Sequence, residues 1–203
     1  MEKQLIISVG REFGSGGHEV AQKLADDYGI ALYDHDLLKE IATKKNLKSE
    51  DLEAYDELKW NRFLYRTVRG LNSSPEQNVA NLQFDFLKEK ANAGESFVVV
   101  GRCAETKLKG ITDGLITFFI LGDKEAKIQR IMNLHHMNHH DAEVFIDEKD
   151  RRRKKYHNGH CEMHWGDSRC YELSINSSKL GIDETVRIMC EYIDARKAAL
   201  EQK

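Results

Sequence analysis

Short apolar runs alternate along this chain with longer stretches whose apolar positions recur every three or four residues. Leu5–Val9, Ile30–Asp34, Phe97–Val100, Leu115–Ile120 and Leu173–Asn176 are bounded by glycine or polar clusters and read as strands. Phe97–Val100 is apolar at every position, as expected of a parallel strand covered on both faces. Helical spacing begins at once after Gly17, with Val20, Ala21, Leu24 and Ala25 on one face and Tyr28 a turn further on. Leu37–Thr43 predicts a second helix, with Asp36 placed to cap it. From Ser49 onward Leu52, Tyr55, Trp60, Phe63, Leu64, Thr67 and Val68 keep the same period. Asn72–Glu76 interrupts it, and Ser73 or Ser74 can cap a further helix carrying Val79, Leu82 and Phe86 that Gly94 ends. Asp123 through Ile131 predicts another helix. The stretch after Gly181 predicts the last one, with Val186, Met189, Cys190 and Ile193 on one face. Strands alternating with helices in this way predict a three-layer, doubly wound parallel α/β sheet of about five strands.

In such sheets ligands bind beyond the carboxyl ends of the strands. Gly10–His18, Asp34–Asp36, Gly101–Arg102 and Asp123 all fall at those ends. The first is the richest. Gly10, Gly14, Gly16 and Gly17 lie between a strand and a helix, so backbone N–H groups can point into one concavity at a helix N-terminus, the arrangement that cradles phosphates. A P-loop of the form G-x-x-x-x-G-K-[ST] carries a lysine for the outer phosphates and a hydroxyl for Mg²⁺. Here Gly17 stands where the lysine belongs and His18 near the hydroxyl position. The glycines do not fit the dinucleotide pattern G-x-G-x-x-G, and the plain alternative is a tight turn without a ligand.

Composition narrows the partners. The chain has 203 residues, 32% of them charged, and a formal net charge of −3, which argues against a nucleic-acid footprint over the whole surface. No apolar run approaches the roughly 20 residues of a membrane span. The first strand starts within a few residues of Met1, so no signal peptide is expected. Cys103, Cys161, Cys170 and Cys190 lack close paired spacing, which predicts a reducing, cytoplasmic setting.

Arg102 directly follows a buried strand, where a guanidinium suits an anion at the sheet edge; the plain alternative is a surface salt bridge with Glu105. Asp150–Lys155 packs five cations into six positions. Either this is a solvated helix face, or it belongs to a lid that brings Arg151 and Arg153 to the charge developing in phosphoryl transfer. Histidines cluster at His135, His136, His139 and His140, and again at His157, His160 and His164 beside Cys161. The i, i+4 pairs 135/139, 136/140 and 160/164 permit zinc binding, but without a C-x-x-C partner solvent-facing histidines are the favoured reading.

Val9–Gly17, Val100–Ala104, Trp165-Gly166-Asp167 and Tyr171–Ser177 together resemble the bacterial cytidylate kinase-like family, relatives of the nucleoside monophosphate kinases. The resemblance implies one P-loop kinase-like domain over 1–203, with a core of 1–35, 96–137 and 171–203, a helical acceptor-binding insert at 36–95 and a lid at about 138–170. It implies transfer of a phosphoryl group from ATP or another nucleoside triphosphate, with Mg²⁺, to a small acceptor, by default CMP or dCMP. A nucleotide-binding sensor without catalysis, or a kinase of a non-nucleotide metabolite, are the alternatives. Donor binding falls to Gly10, Arg11, Gly14, Ser15, Gly16, Gly17 and His18, and acceptor binding to Asp34, Asp36 and Arg102. Arg130, Arg151 and Arg153 are the expected catalytic cations, and Ser15 and Asp34 the expected metal ligands. The expected partners are small nucleotides, with neither nucleic acid nor membrane, and a homo-oligomer is compatible.

Overall fold

The computed structural model describes residues 3–34, 37–45 and 75–202. The expected helix over 49–68, the caps at Ser73 and Ser74, and Asp36 lie outside the described residues.

Five strands form one parallel sheet: β1 (Ile6–Arg11), β2 (Ala31–Tyr33), β3 (Phe97–Val100), β4 (Leu115–Leu121) and β5 (Leu173–Asn176), in the order β2-β3-β1-β4-β5. β1 lies at the centre, paired with β3 from Ile6 opposite Phe97 and with β4 from Ile6 opposite Leu115. Side chains alternate across the pleat. Ile7, Val9, Val98, Val100, Ile116, Phe118 and Ile120 point to one face, where they meet α1 (Gly17–Tyr28) and α7 (Ser177–Glu201). Ile6, Phe97, Val99 and Leu115 point to the other, against α2 (Leu37–Lys45), α3 (Pro75–Asn92) and the short α4 (Ala104–Lys107). The expected three-layer α/β sheet is the observed one.

The last helix differs from its expectation. It starts at Ser177, capped by the Asn176 side chain, and Gly181 interrupts it with φ 80° and ψ 173°. The apolar face that marked it in the sequence lies beyond this break, so the first turn was invisible to periodicity.

Two helices follow β4: α5 (Lys124–His135) and α6 (His139–His160). His136 at φ 54° ends α5, and the Asn138 side chain accepts from Asp141 N–H to begin α6. The boundary therefore separates His135 from His139 and His136 from His140, and His164 lies beyond the end of α6. None of the three i, i+4 histidine pairs lies on a single helix. His135, His136, His139, His140 and His164 are exposed.

α6 is polar almost all round, yet one stripe of it faces inward: Ala142, Ile146, Asp150, Arg153 and His157. Asp150 Oδ1 accepts the Phe13 N–H at 2.6 Å, and Lys127 from α5 lies 3.5 Å from Asp150 and 2.9 Å from Glu12. Arg153 donates to the Arg11 carbonyl at 3.3 Å and stacks on the Phe13 ring. Lys107 reaches the His160 carbonyl at 2.7 Å, and Tyr156 donates to Gln83 at 3.1 Å. These contacts fasten α6 across the carboxyl edge of the sheet. Asp150→Ala leaves the Phe13 N–H without its acceptor and the buried Lys127 with one carboxylate instead of two. The expected cost is about 1–3 kcal/mol, read as a lower urea midpoint at unchanged m-value.

Candidate active site

The turn from β1 to α1 carries two left-handed residues, Gly14 at φ 81° and Gly16 at φ 77°, where a side chain would be strained. Gly16 caps α1 with no side-chain hydrogen bond to the first turn. The first turn of α1 therefore receives no cap from the residue that begins it. Ser15 is buried, its hydroxyl donating to the Glu12 carbonyl at 2.9 Å, while its own carbonyl accepts from Ser177 at 2.6 Å. His18 is exposed and lies 3.6 Å from Asp34 at the end of β2. Arg130 of α5 lies beside Gly16 and pairs with Glu19 at 2.5 Å.

The missing loop lysine has a steric counterpart. A Cβ at Gly17 would lie 2.5 Å from Cβ of Arg11 and 3.3 Å from Cβ of Ile120, so the end of β1 occupies the space any side chain there needs. Gly101 likewise packs on the Arg11 guanidinium, 2.3 Å from where its Cβ would stand. Glycine at both places lets Arg11 lie flat between the ends of β1 and β3.

After β3 the backbone enters the left-handed region three times running: Gly101 at φ 73°, Arg102 at φ 58° and Cys103 at φ 55°. Two of these are not glycine, and such strain concentrates at functional sites. The turn tucks Arg102 inward, where it is only 7% exposed. The plain alternative, a surface pair of Arg102 with Glu105, is not found among the described residues, where Glu105 is itself buried and bonds His157 Nε2 at 2.7 Å.

Arg11, Arg102 and Arg153 thereby line one cleft, with Glu105 the one carboxylate among the described lining residues and Tyr156, Trp165 and Tyr171 as aromatic walls. The Trp165 and Tyr171 rings pack against Phe119, at 5.5 and 5.0 Å between centroids. Burial pushes the Tyr171 phenol up, so it stays protonated as a donor. A second hollow, at the amino-terminal edge of the sheet between Lys3, Gln4 and Lys197, is remote from the strand ends where this chemistry gathers.

The structure therefore brings together Gly10, Arg11, Gly14, Gly16, Gly17, Arg102 and Arg153, with His18, Asp34 and Arg130 at the rim of the same loop. It does not bring Arg151 there. Two residues from Arg153 it lies roughly 200° around the helix, exposed, and among the described residues it makes no ion pair. Sequence reasoning missed Glu12, Lys127 and Asp150, which come from three separate segments, and the wall formed by Tyr156, Trp165 and Tyr171.

Behind the cleft, burial works against a charge on His157. The Cys161 sulfur and the Glu105 carboxylate outweigh it and raise the imidazole to about 10. The Cys161 thiol is lowered, chiefly by the Cys103 thiol and then by His157.

Comparison with known proteins places this geometry. The model of the cytidylate kinase-like family matches residues 6–179. The chain belongs to the cytidylate kinase-like family. A solved structure of an uncharacterized protein from Eubacterium ventriosum ATCC 27560 shares 39% identity, with TM-score 0.75 over 94% of this chain and 99% of that one. Shikimate kinase from Bacteroides thetaiotaomicron has TM-score 0.54 at 14% identity, covering 94% of this chain and 98% of its own. A gluconokinase from Sinorhizobium meliloti 1021 has TM-score 0.54 at 14% identity, covering 98% and 95%. These last two share the P-loop kinase-like fold. No curated protein matches the chain. Among the described residues no helix is long and apolar enough to cross a membrane.

The crowding at Gly17 is testable directly. Gly17→Ala forces the new methyl against Arg11 and is expected to cost about 1–3 kcal/mol. Thermal unfolding of the variant checks it: an unchanged melting point would mean that the ends of β1 and α1 are not in contact.

Proposed function

We propose that the protein is a phosphotransferase moving the terminal phosphoryl group of a nucleoside triphosphate, by default ATP, to a small anionic acceptor, by default CMP or dCMP, in the cytoplasm. The observation that carries this reading is the convergence of Arg11, Arg102 and Arg153 on one cleft beside a glycine turn whose helix N-terminus has no side-chain cap. Family membership supports the reaction class.

The residues fit a triphosphate. Backbone N–H groups from Gly14 to His18 hold the donor phosphates, with Arg130 at their flank. For Mg²⁺ the Asp34 carboxylate beside His18 would offer an oxygen donor, whereas the Ser15 hydroxyl is buried on the Glu12 carbonyl. A bound Mg²⁺ supplies charge neutralisation on the phosphates. Arg102 grips the acceptor's anionic group and holds an acceptor oxygen in line with the terminal phosphorus. That oxygen forms the new P–O bond as the bridging bond breaks and the nucleoside diphosphate leaves. Charge spreads over the transferred group's equatorial oxygens, and Arg153, held by α6 over the loop, meets it in place of the absent lysine. Trp165, Tyr156 and Tyr171 offer the apolar wall that a base or sugar ring needs. α6 then acts as the lid and α2 and α3 as described parts of the acceptor-binding insert.

Coupled measurement of ADP release tests the reading, using each nucleoside monophosphate, shikimate, gluconate, and no acceptor. Acceptor-dependent release is expected, and CMP or dCMP should give the highest kcat/KM. Nucleotide binding without acceptor-dependent release would overturn catalysis in favour of a nucleotide-binding sensor. Within an active protein, Arg102→Ala is expected to raise the acceptor KM about ten- to a hundred-fold with NTP affinity little changed, because a charge-assisted contact of about 1.5–3 kcal/mol is lost. Arg153→Ala is expected to lower kcat by at least about a hundred-fold. Arg151→Ala, on the far side of the helix, is expected to leave both constants unchanged.

A further inference from the structure

We infer that Cys103, His157 and Cys161 form a binding site for a soft divalent transition-metal ion, zinc first. The three side chains come from two parts of the chain. Cys103 is buried at the strained turn after β3, while His157 and Cys161 close the last turn of α6. Their ligating atoms all lie within 4.8 Å of one another. Tetrahedral zinc with bonds of about 2.0–2.3 Å needs its donors roughly 3.5–3.8 Å apart, so side-chain adjustment of about an ångström completes the geometry.

The histidine supplies the second, independent indication. Its side chain is only 6% exposed, and Nε2 is bonded to Glu105 Oε1 at 2.7 Å. The ring's other nitrogen, Nδ1, is buried with no hydrogen-bond partner. Buried ring nitrogens are ordinarily satisfied, and an orphan beside two sulfurs calls for an explanation. A carboxylate on one imidazole nitrogen orients the ring so that the other presents its lone pair once a binding metal displaces its proton, which is how metal-bound histidines are commonly held. Two thiolates and an imidazole select zinc or a similarly soft ion over magnesium or calcium, which take oxygen donors.

Three protein donors leave one tetrahedral position for water. The consequence is mechanical. Cys103 adjoins Arg102, and His157 lies one helical turn from Arg153, so a single ion ties together the two segments that carry the cleft's guanidiniums. This site is separate from the oxygen-donor position proposed for Mg²⁺ and needs no nucleotide.

The test uses the reduced full-length protein, stripped of metal, with Zn²⁺ and Co²⁺ as probes. Expected are retention of about one zinc per chain after dialysis, a higher melting temperature with zinc, and a thiolate-to-cobalt charge-transfer band with cobalt. Cys103→Ser and Cys161→Ser are expected to lose the ion, and Cys190→Ser, distant from the cluster, to keep it. Glu105→Gln is expected to weaken binding about ten- to a hundred-fold. Should a cysteine variant fail to fold, alkylation of the wild type gives the same answer. Zinc is expected to protect Cys103 and Cys161 and to leave Cys190 reactive. No retained zinc, a cobalt spectrum without a thiolate band, or equal alkylation of the three cysteines with and without zinc would overturn the site. So would a Cys103–Cys161 disulfide whose reduction restores no metal uptake. None of these readouts depends on turnover, so their failure leaves the phosphotransferase reading standing.

Discussion

One carboxylate holds the site together. Asp150 sits on a helix with little apolar surface of its own, and accepts the Phe13 N–H at 2.6 Å while facing Lys127 at 3.5 Å. Ala142 and Ile146 dock the first half of that helix against Ile128 and Ile131 of α5, and charge-assisted contacts set the place of its more polar second half. With Asp150 on the glycine turn, the spacing of the helix delivers Arg153 to the same turn and His157 to Glu105, one and two turns further on. Burial raises the Asp150 carboxyl above its ordinary value, opposed by the Phe13 amide, Lys127 and Arg153. The carboxylate is held by its partners rather than by solvent.

The cleft that results gathers guanidiniums from three elements of the chain. Three guanidiniums and one carboxylate line it, and the carboxylate is already bonded to His157. These guanidiniums gather at the carboxyl edge of the sheet beside the glycine turn. Backbone strain points the same way. Three successive left-handed residues after β3 persist because Gly101 is bonded to Val9 and because Arg102 and Cys103 are needed inward. The crowding of Gly17 against Arg11 adds a reason for the missing lysine: the cations beside the glycine turn are carried at the end of β1 and on α6, not on the turn itself.

The sheet and the glycine turn were legible because their signals are local. Alternating or continuous apolar runs marked all five strands, and glycines next to a helical period marked the turn. Helix α6 was legible only as a polar segment. Its inward face, Asp150, Arg153 and His157, is charged, and hydrophobic periodicity does not register charge docking. Arg151 and Arg153 differ for a related reason: two residues apart on a helix, only Arg153 falls on the inward face. The histidine pairs are divided by helix ends, two of them at the cap that Asn138 forms and the third where α6 stops at His160. Glu12, Lys127 and Asp150, like Cys103, His157 and Cys161, lie far apart in sequence, and only the packing of α6 over the sheet edge unites them.

The central claim is that the glycine turn and the arginine cleft are two halves of one transfer site. Its most direct measurement is a crystal structure with ADP, Mg²⁺, a fluoroaluminate mimic of the transferred phosphoryl group, and CMP. The account predicts the fluoroaluminate between the turn at Gly14–His18 and the guanidiniums of Arg102 and Arg153, with CMP in the cleft against Trp165 and Tyr171. A nucleotide bound elsewhere, with the turn free of phosphate and the three arginines contacting no ligand, would contradict it.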